Sequence, residues 1–250
     1  MTQVAIVTGS RGGIGRALVK TYLDDGYFVI GLDKEVRESS VSKNFFELHV
    51  NLGSFSKDLA YRESTLDKVK EGFPVEFSKL VLINNAATQI LKPVKEIEWQ
   101  DWEESFTVNA IAPFFLAQGF LSLLEKSDGH VINVSSIHAK LTKPQFACYA
   151  ASKTALEAVT RSLAIELSPL GISVNAVAPA AISTEMLKAS FNGEEQRLRE
   201  LENYHPSKSI GTPEQLAGFI KAMTDQRSTF LTGAILEFNG GIASRLHDPS

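Results

Sequence analysis

The sequence lacks several features that mark secreted, membrane-spanning and nucleic-acid-binding proteins. Its one cysteine, Cys148, cannot form an internal disulfide, so a reducing, cytoplasmic compartment is expected. No apolar run approaches the ~20 residues of a transmembrane helix, and we expect no signal peptide because the amino terminus lacks a charged region and a long apolar region. A net charge of -4 without any block of basic residues argues against a nucleic-acid surface. The five histidines show no paired spacing typical of zinc ligands, so no metal site is predicted.

What the chain does contain is a regular alternation of short apolar runs and amphipathic stretches. A chain of 250 residues with 44% hydrophobic residues can bury the core of one large α/β domain. Most of the runs are apolar throughout, which is typical of strands covered on both faces. The predicted strands are Val4–Val7, Phe28–Leu32, Phe45–Val50, Leu80–Ile83, Val131–Val134, Ser173–Val177 and Ile235–Phe238. The predicted helices include Ile14–Asp25, Trp102–Leu124, Tyr149–Leu167 and Pro213–Thr224.

This order of elements predicts strand–helix–strand units that build a parallel sheet with right-handed crossovers. No internal repeat, low-complexity segment or linker interrupts the chain, so residues 1–250 are interpreted as a single domain. The stretch around 182–206 is the most irregular, with many charged residues and no strand pattern. We interpret it as a substrate lid over the carboxyl edge of the sheet, where open α/β folds bind ligands.

A glycine-rich turn follows the first predicted strand and precedes the first predicted helix, with the sequence Thr8-Gly9-Ser10-Arg11-Gly12-Gly13-Ile14-Gly15. Glycines there let the backbone approach a pyrophosphate, whose charge the helix N-terminus stabilises. The second strand ends at Asp33, where a carboxylate can bind both ribose hydroxyls of an adenosine and repel a 2′-phosphate. This pattern favours NAD over NADP, while Lys34 and Arg11 leave some tolerance of NADP open. The simpler interpretations are an ordinary glycine-rich turn and a carboxylate that starts a loop.

A tyrosine and a lysine lie four residues apart in a predicted helix, at Tyr149 and Lys153, and Ser136 precedes the tyrosine by thirteen residues. Residues at i and i+4 share one face of a helix. An ammonium beside a phenol lowers its pKa from about 10, which fits the tyrosine to exchange a proton near neutral pH. For an isolated pair, an exposed ring packed on a lysine stem is the simpler interpretation.

Taken in order, these motifs resemble those of the short-chain dehydrogenase/reductase family in its single-domain form, and the resemblance covers essentially the whole chain. It rests on the glycine turn, Asn84-Asn85-Ala86-Ala87, Asn109, Ser136, Tyr149, Lys153, Asn175–Pro179, Ile182, Thr184 and Asn239-Gly240-Gly241. Alanine stands at positions 87 and 180 where the family more often has glycine. Asparagine stands at positions 51 and 239 where it more often has aspartate.

The resemblance implies an α/β, doubly wound Rossmann-type fold with a mostly parallel, seven-stranded sheet flanked by helices on both faces. It implies that Ser136 binds the substrate oxygen, that Tyr149 acts as general acid or base, and that Lys153 lowers the pKa of Tyr149 and holds the nicotinamide ribose. Asn109 would anchor a water that links Lys153 to solvent. The implied cofactor-binding residues are Gly9, Ser10, Arg11, Gly13, Ile14, Gly15, Asp33, Asn51, Leu52, Asn85, Ala86, Tyr149, Lys153, Pro179, Ile182 and Thr184.

We therefore expect an NAD(H)-dependent oxidoreductase that interconverts a secondary alcohol and a carbonyl, with NADP the less favoured cofactor. Polar residues near the site, such as His138 and Gln145, favour a sugar or polyol over a steroid. By the same resemblance, the helices predicted at Trp102–Leu124 and Tyr149–Leu167 pair between subunits, which predicts a homotetramer or otherwise a homodimer. The alternative is a catalytically silent, nucleotide-binding regulatory protein of the same fold, which the loss of a catalytic residue would favour.

Overall fold

One sheet organises the part of the chain that the computed structural model describes, which is residues 1–36, 40–185, 187, 195–225 and 230–246. The strands are β1 (Thr2–Thr8), β2 (Phe28–Asp33), β3 (Ser40–Ser42), β4 (Phe45–His49), β5 (Phe77–Asn84), β6 (Asp128–Val134), β7 (Ser173–Pro179) and β8 (Ile235–Phe238). Their order in the sheet is β3-β4-β2-β1-β5-β6-β7-β8. Every pairing is parallel except that of β3 with β4. The predicted seven parallel strands are confirmed, and β3 is an addition that the sequence pattern did not predict.

Helices cover both faces of this sheet. They are α1 (Gly13–Asp24), α2 (Leu52–Lys57), α3 (Leu59–Glu71), α4 (Trp99–Phe106), α5 (Ala112–Gly119), α6 (Leu121–Glu125), α7 (Ala147–Leu167), α8 (Glu195–Tyr204) and α9 (Pro213–Asp225). Because side chains alternate along a strand, neighbouring residues of β1 enter different cores. Ile6 packs in a cluster with Leu116 of α5, whereas Val7 packs in a second cluster with Leu18 of α1. This burial on both faces explains why the strands appear in the sequence as continuous apolar runs.

Parallel pairing brings the carboxyl ends of the central strands to one edge of the sheet. Thr8 of β1 is paired with Leu32 of β2, and Asn84 of β5 with Asn133 of β6. The glycine turn after β1, the loop after β5 and the segment after β6 therefore leave the sheet side by side. Ligands of open α/β folds bind outside this edge.

The structure corrects two of the predicted elements. The helix predicted at Trp102–Leu124 begins at Trp99, contains the π-helical turn Thr107–Ile111, and is interrupted again between α5 and α6. The stretch predicted to be irregular contains the helix α8, although residues 186 and 188–194 of it lie outside the described residues. Helix α8 has no fully buried residue, and its half-buried Leu198 and Leu201 are the apolar positions that the sequence offered.

The helices α2 and α3 also follow β4 where no helix was predicted. Among the helices that the structure describes, none combines the length and the hydropathy that a membrane crossing requires.

Candidate active site

The glycine turn packs so tightly that two of its glycines cannot carry a side chain. Gly9 has a φ of 65°, and a Cβ atom there would lie 2.9 Å from the Cα atom of Ala86. A Cβ atom on Gly15 would lie 1.9 Å from the carbonyl oxygen of Gly9. The first turn of α1 is therefore pressed against the end of β1, which is the arrangement that lets a backbone approach a pyrophosphate.

The N-terminus of α1 is open to an anion. Its N-cap residue, Gly12, has no side chain to accept from the first-turn N–H groups, and the first turn contains no acidic residue. The unpaired N–H groups and the helix dipole therefore remain available to a phosphate. Gly13 faces the loop after β7, because a Cβ atom on it would lie 3.0 Å from the Cγ2 atom of Thr184. Ile14 is half-buried and packs on the core that α1 covers.

The end of β5 is hydrogen-bonded to the same turn. The Asn85 side chain donates to the carbonyl oxygens of Thr8 at 2.9 Å and Gly9 at 3.2 Å. The backbone N–H groups of Asn85 and Ala86 both donate to the Thr8 hydroxyl at 3.0 Å. These bonds fix the loop after β5 beside the glycine turn, where the sequence predicted two cofactor contacts.

Asp33 ends β2 with its carboxylate directed at the glycine turn. Its Oδ2 atom accepts from the backbone N–H of Arg11 at 2.9 Å, and its Oδ1 atom accepts from the backbone N–H of Glu35 at 2.9 Å. The carboxylate is thus held in one orientation next to Ser10 and Arg11. Each oxygen keeps a further lone pair with which it can accept from a ribose hydroxyl.

The remaining predicted cofactor contacts fall into two groups. Asn51 caps α2, because its Oδ1 atom accepts from the Ser54 N–H at 3.1 Å, and Leu52 is buried in the core. Pro179 ends β7, and Ile182 is buried where it pairs with Gly211. The segment after β7 therefore lies beside the glycine turn, whereas Asn51 and Leu52 also have structural roles that the sequence did not indicate.

Ser136, Tyr149 and Lys153 come together between the end of β6 and the first turns of α7. The Lys153 ammonium donates to the carbonyl oxygen of Val134 at 2.7 Å and lies 5.8 Å from the centroid of the Tyr149 ring. Ser135 is directed elsewhere, since its hydroxyl donates to Glu157 at 2.9 Å. Ser136 is thus the serine that faces the tyrosine.

The pKa values of Tyr149 and Lys153 differ from those that the sequence led us to expect. Burial raises the pKa of Tyr149, and hydrogen bonding with the Ser136 side chain opposes that shift only in part. Burial also lowers the pKa of Lys153 to about 7. The sequence predicted that Lys153 would lower the pKa of Tyr149. In the structure desolvation outweighs any such effect, because both groups lie in low-dielectric surroundings.

Asn109 lies in the π-helical turn Thr107–Ile111, and its side chain is fully engaged. Its Oδ1 atom accepts from the N–H of Thr88 at 2.8 Å, while its Nδ2 atom donates to the carbonyl oxygen of Thr88 and to the Ser152 hydroxyl, both at 2.9 Å. The Ser152 hydroxyl in turn donates to the Tyr149 carbonyl oxygen at 2.8 Å. Asn109 therefore connects the loop after β5 to the helix that carries the tyrosine.

Aromatic rings border the tyrosine on its outer side. The His138 ring stacks on Phe146 with centroids 4.1 Å apart, and its edge meets Tyr149 at 5.9 Å. Burial, followed by the nearby Lys143 ammonium, lowers the pKa of His138 to about 4, so the imidazole is neutral at pH 7. Gln145 precedes Phe146 with a φ of 75°, a conformation that non-glycine residues rarely adopt.

The sequence profile of the short chain dehydrogenases matches residues 3–195 of this chain. The chain belongs to the short chain dehydrogenase family. Among curated relatives, Protein FixR of Bradyrhizobium diazoefficiens is 31% identical over 251 residues, covering 96% of this chain and 86% of its own. The 3-oxoacyl-[acyl-carrier-protein] reductase FabG of Vibrio cholerae is 31% identical over 245 residues, covering 96% of this chain and 97% of its own.

Solved structures share the fold across the whole chain. The aldohexose dehydrogenase of Thermoplasma acidophilum superposes with a TM-score of 0.88 at 25% identity, covering 100% of this chain and 98% of its own. ElxO with NADP bound has a TM-score of 0.85 at 26% identity, and 4-hydroxyisoleucine dehydrogenase complexed with NADH has 0.85 at 24%; each covers 98% of this chain and 100% of its own. One of these similar structures thus holds NADP and another NADH, and the chain is an oxidoreductase of the short chain dehydrogenase family.

Several residues of this short chain dehydrogenase site were missed by sequence reasoning. Thr88 and Ser152 bind Asn109, and Thr8 ties the loop after β5 to the glycine turn. Glu47 of β4 binds the Arg11 side chain at 2.7 Å. Ser152 lies between Tyr149 and Lys153, which was a usable signal. The contact between Glu47 and Arg11 depends on the register of β4 in the sheet, so no local sequence pattern predicts it.

Proposed function

We propose that the protein is an NAD(H)-dependent oxidoreductase that interconverts a secondary alcohol and a carbonyl. The observation that carries this proposal is the convergence of Ser136, Tyr149 and Lys153 at the carboxyl edge of the sheet, beside a glycine turn whose helix N-terminus is open. A proton donor, a serine hydroxyl and a lysine thus lie together at the edge of the sheet outside which open α/β folds bind their ligands.

The residues present fit a bound dinucleotide. Gly9 and Gly15 leave no side chain over the turn, and the first turn of α1 offers free N–H groups to the pyrophosphate. Asp33 is placed for the adenosine ribose hydroxyls, which favours NAD over NADP. Asn85 and Thr184 border the turn from the neighbouring loops. When bound, NAD supplies the hydride acceptor for oxidation and NADH supplies the donor for reduction.

The chain's own groups handle the proton and the orientation of the substrate. The Ser136 hydroxyl donates to the substrate oxygen, and Tyr149 gives a proton to a carbonyl oxygen or takes one from an alcohol. Because burial raises its pKa, Tyr149 is protonated at pH 7 and is poised as the acid of the reductive direction. Lys153, with a pKa of about 7, can exchange the proton that Tyr149 loses. Asn109 holds the tyrosine-bearing helix in place through Ser152.

We further propose a polar substrate such as a sugar or polyol. His138 remains neutral at pH 7, and its Nδ1 atom lies 3.1 Å from the Thr142 hydroxyl, so its ring presents hydrogen-bonding capacity without charge. The likeness to an aldohexose dehydrogenase at 25% identity supports the same class. A lid formed by the segment around 182–206 would close over such a substrate.

A panel of substrates tests the proposal. NAD reduction is measured with sugars, polyols, hydroxy acids and steroids, using the wild type and Tyr149→Phe. We expect turnover of a polar secondary alcohol and a loss of about 10²–10⁴-fold in kcat for the variant. Equal turnover by the variant would sink the mechanism. NADH binding without turnover of any alcohol would favour the silent regulatory protein.

We also propose that the protein forms a homotetramer and is located in the cytoplasm. Trp99 of α4 is 74% exposed and Ile165 of α7 is 78% exposed, so apolar side chains lie on the outer surface of the two helices expected to pair. Light scattering on the purified protein gives the mass directly. We expect four subunits, and Ile165→Glu should reduce the assembly, whereas a monomeric wild type would contradict the pairing.

A further inference from the structure

The guanidinium of Arg11, in the glycine turn, is bound by the carboxylate of Glu47. The Arg11 Nη2 atom donates to the Glu47 Oε2 atom at 2.7 Å, and the Nε atom donates to both carboxylate oxygens at 3.2 Å. Contact through two nitrogens of the guanidinium makes this a fork-like pair, which is stronger and more directional than a single ion contact. The arginine side chain remains 45% exposed, whereas the glutamate side chain is only 7% exposed.

The position of Glu47 follows from the register of the sheet. Glu47 of β4 is paired with Gly31 of β2, and a Cβ atom on Gly31 would lie 2.9 Å from the Ser10 hydroxyl. The glycine therefore leaves space for Ser10, which donates to the Glu47 Oε1 atom at 3.1 Å. Two consecutive residues of the turn thus bind one buried carboxylate that comes from a neighbouring strand.

Arg11 is also the residue whose backbone positions Asp33. Its backbone N–H donates to the Asp33 Oδ2 atom at 2.9 Å. The Asp33 carboxylate, which would bind the ribose, therefore lies directly beside the residue that carries the guanidinium. The Arg11 Nη1 atom also donates to the carbonyl oxygen of Glu35 at 3.5 Å, so the guanidinium lies beside the loop that follows Asp33. The cation therefore borders the end of β2, where a carboxylate can bind the ribose of an adenosine.

We propose that Glu47 is a specificity-determining residue of the cofactor site, because it holds the Arg11 guanidinium away from the place where the 2′-phosphate of NADP would bind. This inference rests on the proposed NAD-dependent function and deepens it. Without Glu47, the turn would present an unpaired cation beside Asp33, and NADP would gain a charge-assisted partner. With Glu47 present, the Arg11–Glu47 pair contributes no net charge. The Asp33 carboxylate then repels the 2′-phosphate of NADP without opposition, which favours NAD.

Two residues other than Glu47 could also set the preference between NAD and NADP. Asp33 alone can repel a phosphate, and the exposed Lys34 could bind one. Neither effect passes through the Arg11 side chain. A combination of substitutions at positions 47 and 11 therefore distinguishes the proposal from both.

The experiment measures the dissociation constants of NADH and NADPH by nicotinamide fluorescence in four full-length proteins, namely the wild type, Glu47→Gln, Arg11→Gln and the double variant. We expect Glu47→Gln to lower the ratio of the NADPH constant to the NADH constant by about tenfold, with a gain in NADPH affinity that salt weakens. In the double variant the pair again carries no net charge, so the ratio should lie within about twofold of the wild-type value.

Arg11→Gln alone keeps the proposal testable if Glu47→Gln folds poorly, because position 11 is partly exposed. We expect it to weaken NADPH relative to NADH by no more than about threefold, since it removes no phosphate ligand and only leaves the Glu47 charge unpaired. A selective loss of NADPH affinity of about tenfold or more in Arg11→Gln would show that Arg11 binds the phosphate and would overturn the proposal. So would a gain from Glu47→Gln that persists without Arg11. A wild type that bound neither nucleotide would instead overturn the proposed function itself, and with it this inference.

Discussion

The ammonium of Lys153 donates to the carbonyl oxygen of Val134, the last residue of β6, at 2.7 Å. This bond joins the helix that carries Tyr149 to the strand that leads into Ser136. The lysine is only 2% exposed, so its charge is costly and burial lowers its pKa to about 7. One side chain thus ties together the two elements of the candidate site and titrates in the physiological range.

The free energy of unfolding of the wild type should increase with pH above 7, and Lys153→Met should abolish this increase. In the unfolded chain the lysine pKa is about 10.4, whereas in the folded protein it is about 7. Between these values the unfolded state binds more protons, so the free energy of unfolding increases with pH, by at most about 1.4 kcal/mol per pH unit. Urea unfolding at pH 6, 7, 8 and 9 measures this slope. Lys95→Met, at a side chain that is 81% exposed, should leave it unchanged.

The rate of alcohol oxidation should rise with pH up to at least 9. Oxidation requires the phenolate of Tyr149, and burial raises the pKa of that phenol, so the reactive fraction grows by on the order of tenfold per pH unit below it. Carbonyl reduction uses the protonated phenol and should show no such rise. Profiles of kcat/KM in both directions provide the check. A plateau of the oxidation rate below pH 8 would contradict a raised pKa.

Gly15→Ala should abolish nucleotide binding, whereas Gly218→Ala should not. A Cβ atom on Gly15 would meet the Gly9 carbonyl oxygen at 1.9 Å, so the turn and α1 must separate. Apart from its chain neighbours and the backbone of its own helix, no atom lies within 4 Å of a Cβ atom on Gly218 of α9, and alanine should stabilise that helix by about 1 kcal/mol. NADH titration and thermal unfolding of both variants measure the two effects. Normal NADH affinity in Gly15→Ala would refute the assigned role of the turn.

Asn109→Ala should lower the stability of the fold and reduce kcat, and it should not selectively lower the affinity for NADH. The substitution leaves both backbone groups of Thr88 and the Ser152 hydroxyl without this partner, at about 1–3 kcal/mol for each buried group left unsatisfied. The exposed Asn203→Ala on α8 is the matched control and should be neutral. Thermal unfolding and steady-state kinetics are the measurements. Full activity at unchanged stability would argue that Asn109 does not position the helix of Tyr149.

The features that were predictable from the sequence are those set by local patterns. Strands buried on both faces leave apolar runs, so β1, β2, β5, β6 and β7 were located to within a few residues. The less buried β4 and β8 were located to within one residue. The glycine turn and the spacing of Tyr149 and Lys153 are likewise local. Because each of these signals lies within a short segment, the fold class followed from their order along the chain.

The unpredicted features depend on contacts between distant segments. Glu47 and Arg11 are 36 positions apart, and their contact requires the pairing of β4 with β2. The pKa of Lys153 is set by its burial under β6, which no spacing encodes. Helix α8 is rich in strong helix formers and carries the exposed Glu195–Arg199 pair at 3.4 Å, but its two leucines, Leu198 and Leu201, are only half-buried.

The three-residue strand β3 has a consequence for the behaviour of the protein at high concentration. By pairing antiparallel with β4, its backbone covers hydrogen-bonding groups of a strand that would otherwise form the open border of the sheet. Open borders recruit strands from other molecules, and a very short terminal strand offers them little to extend. The border of the sheet at β4 is thereby protected against edge-to-edge aggregation by only three residues of chain.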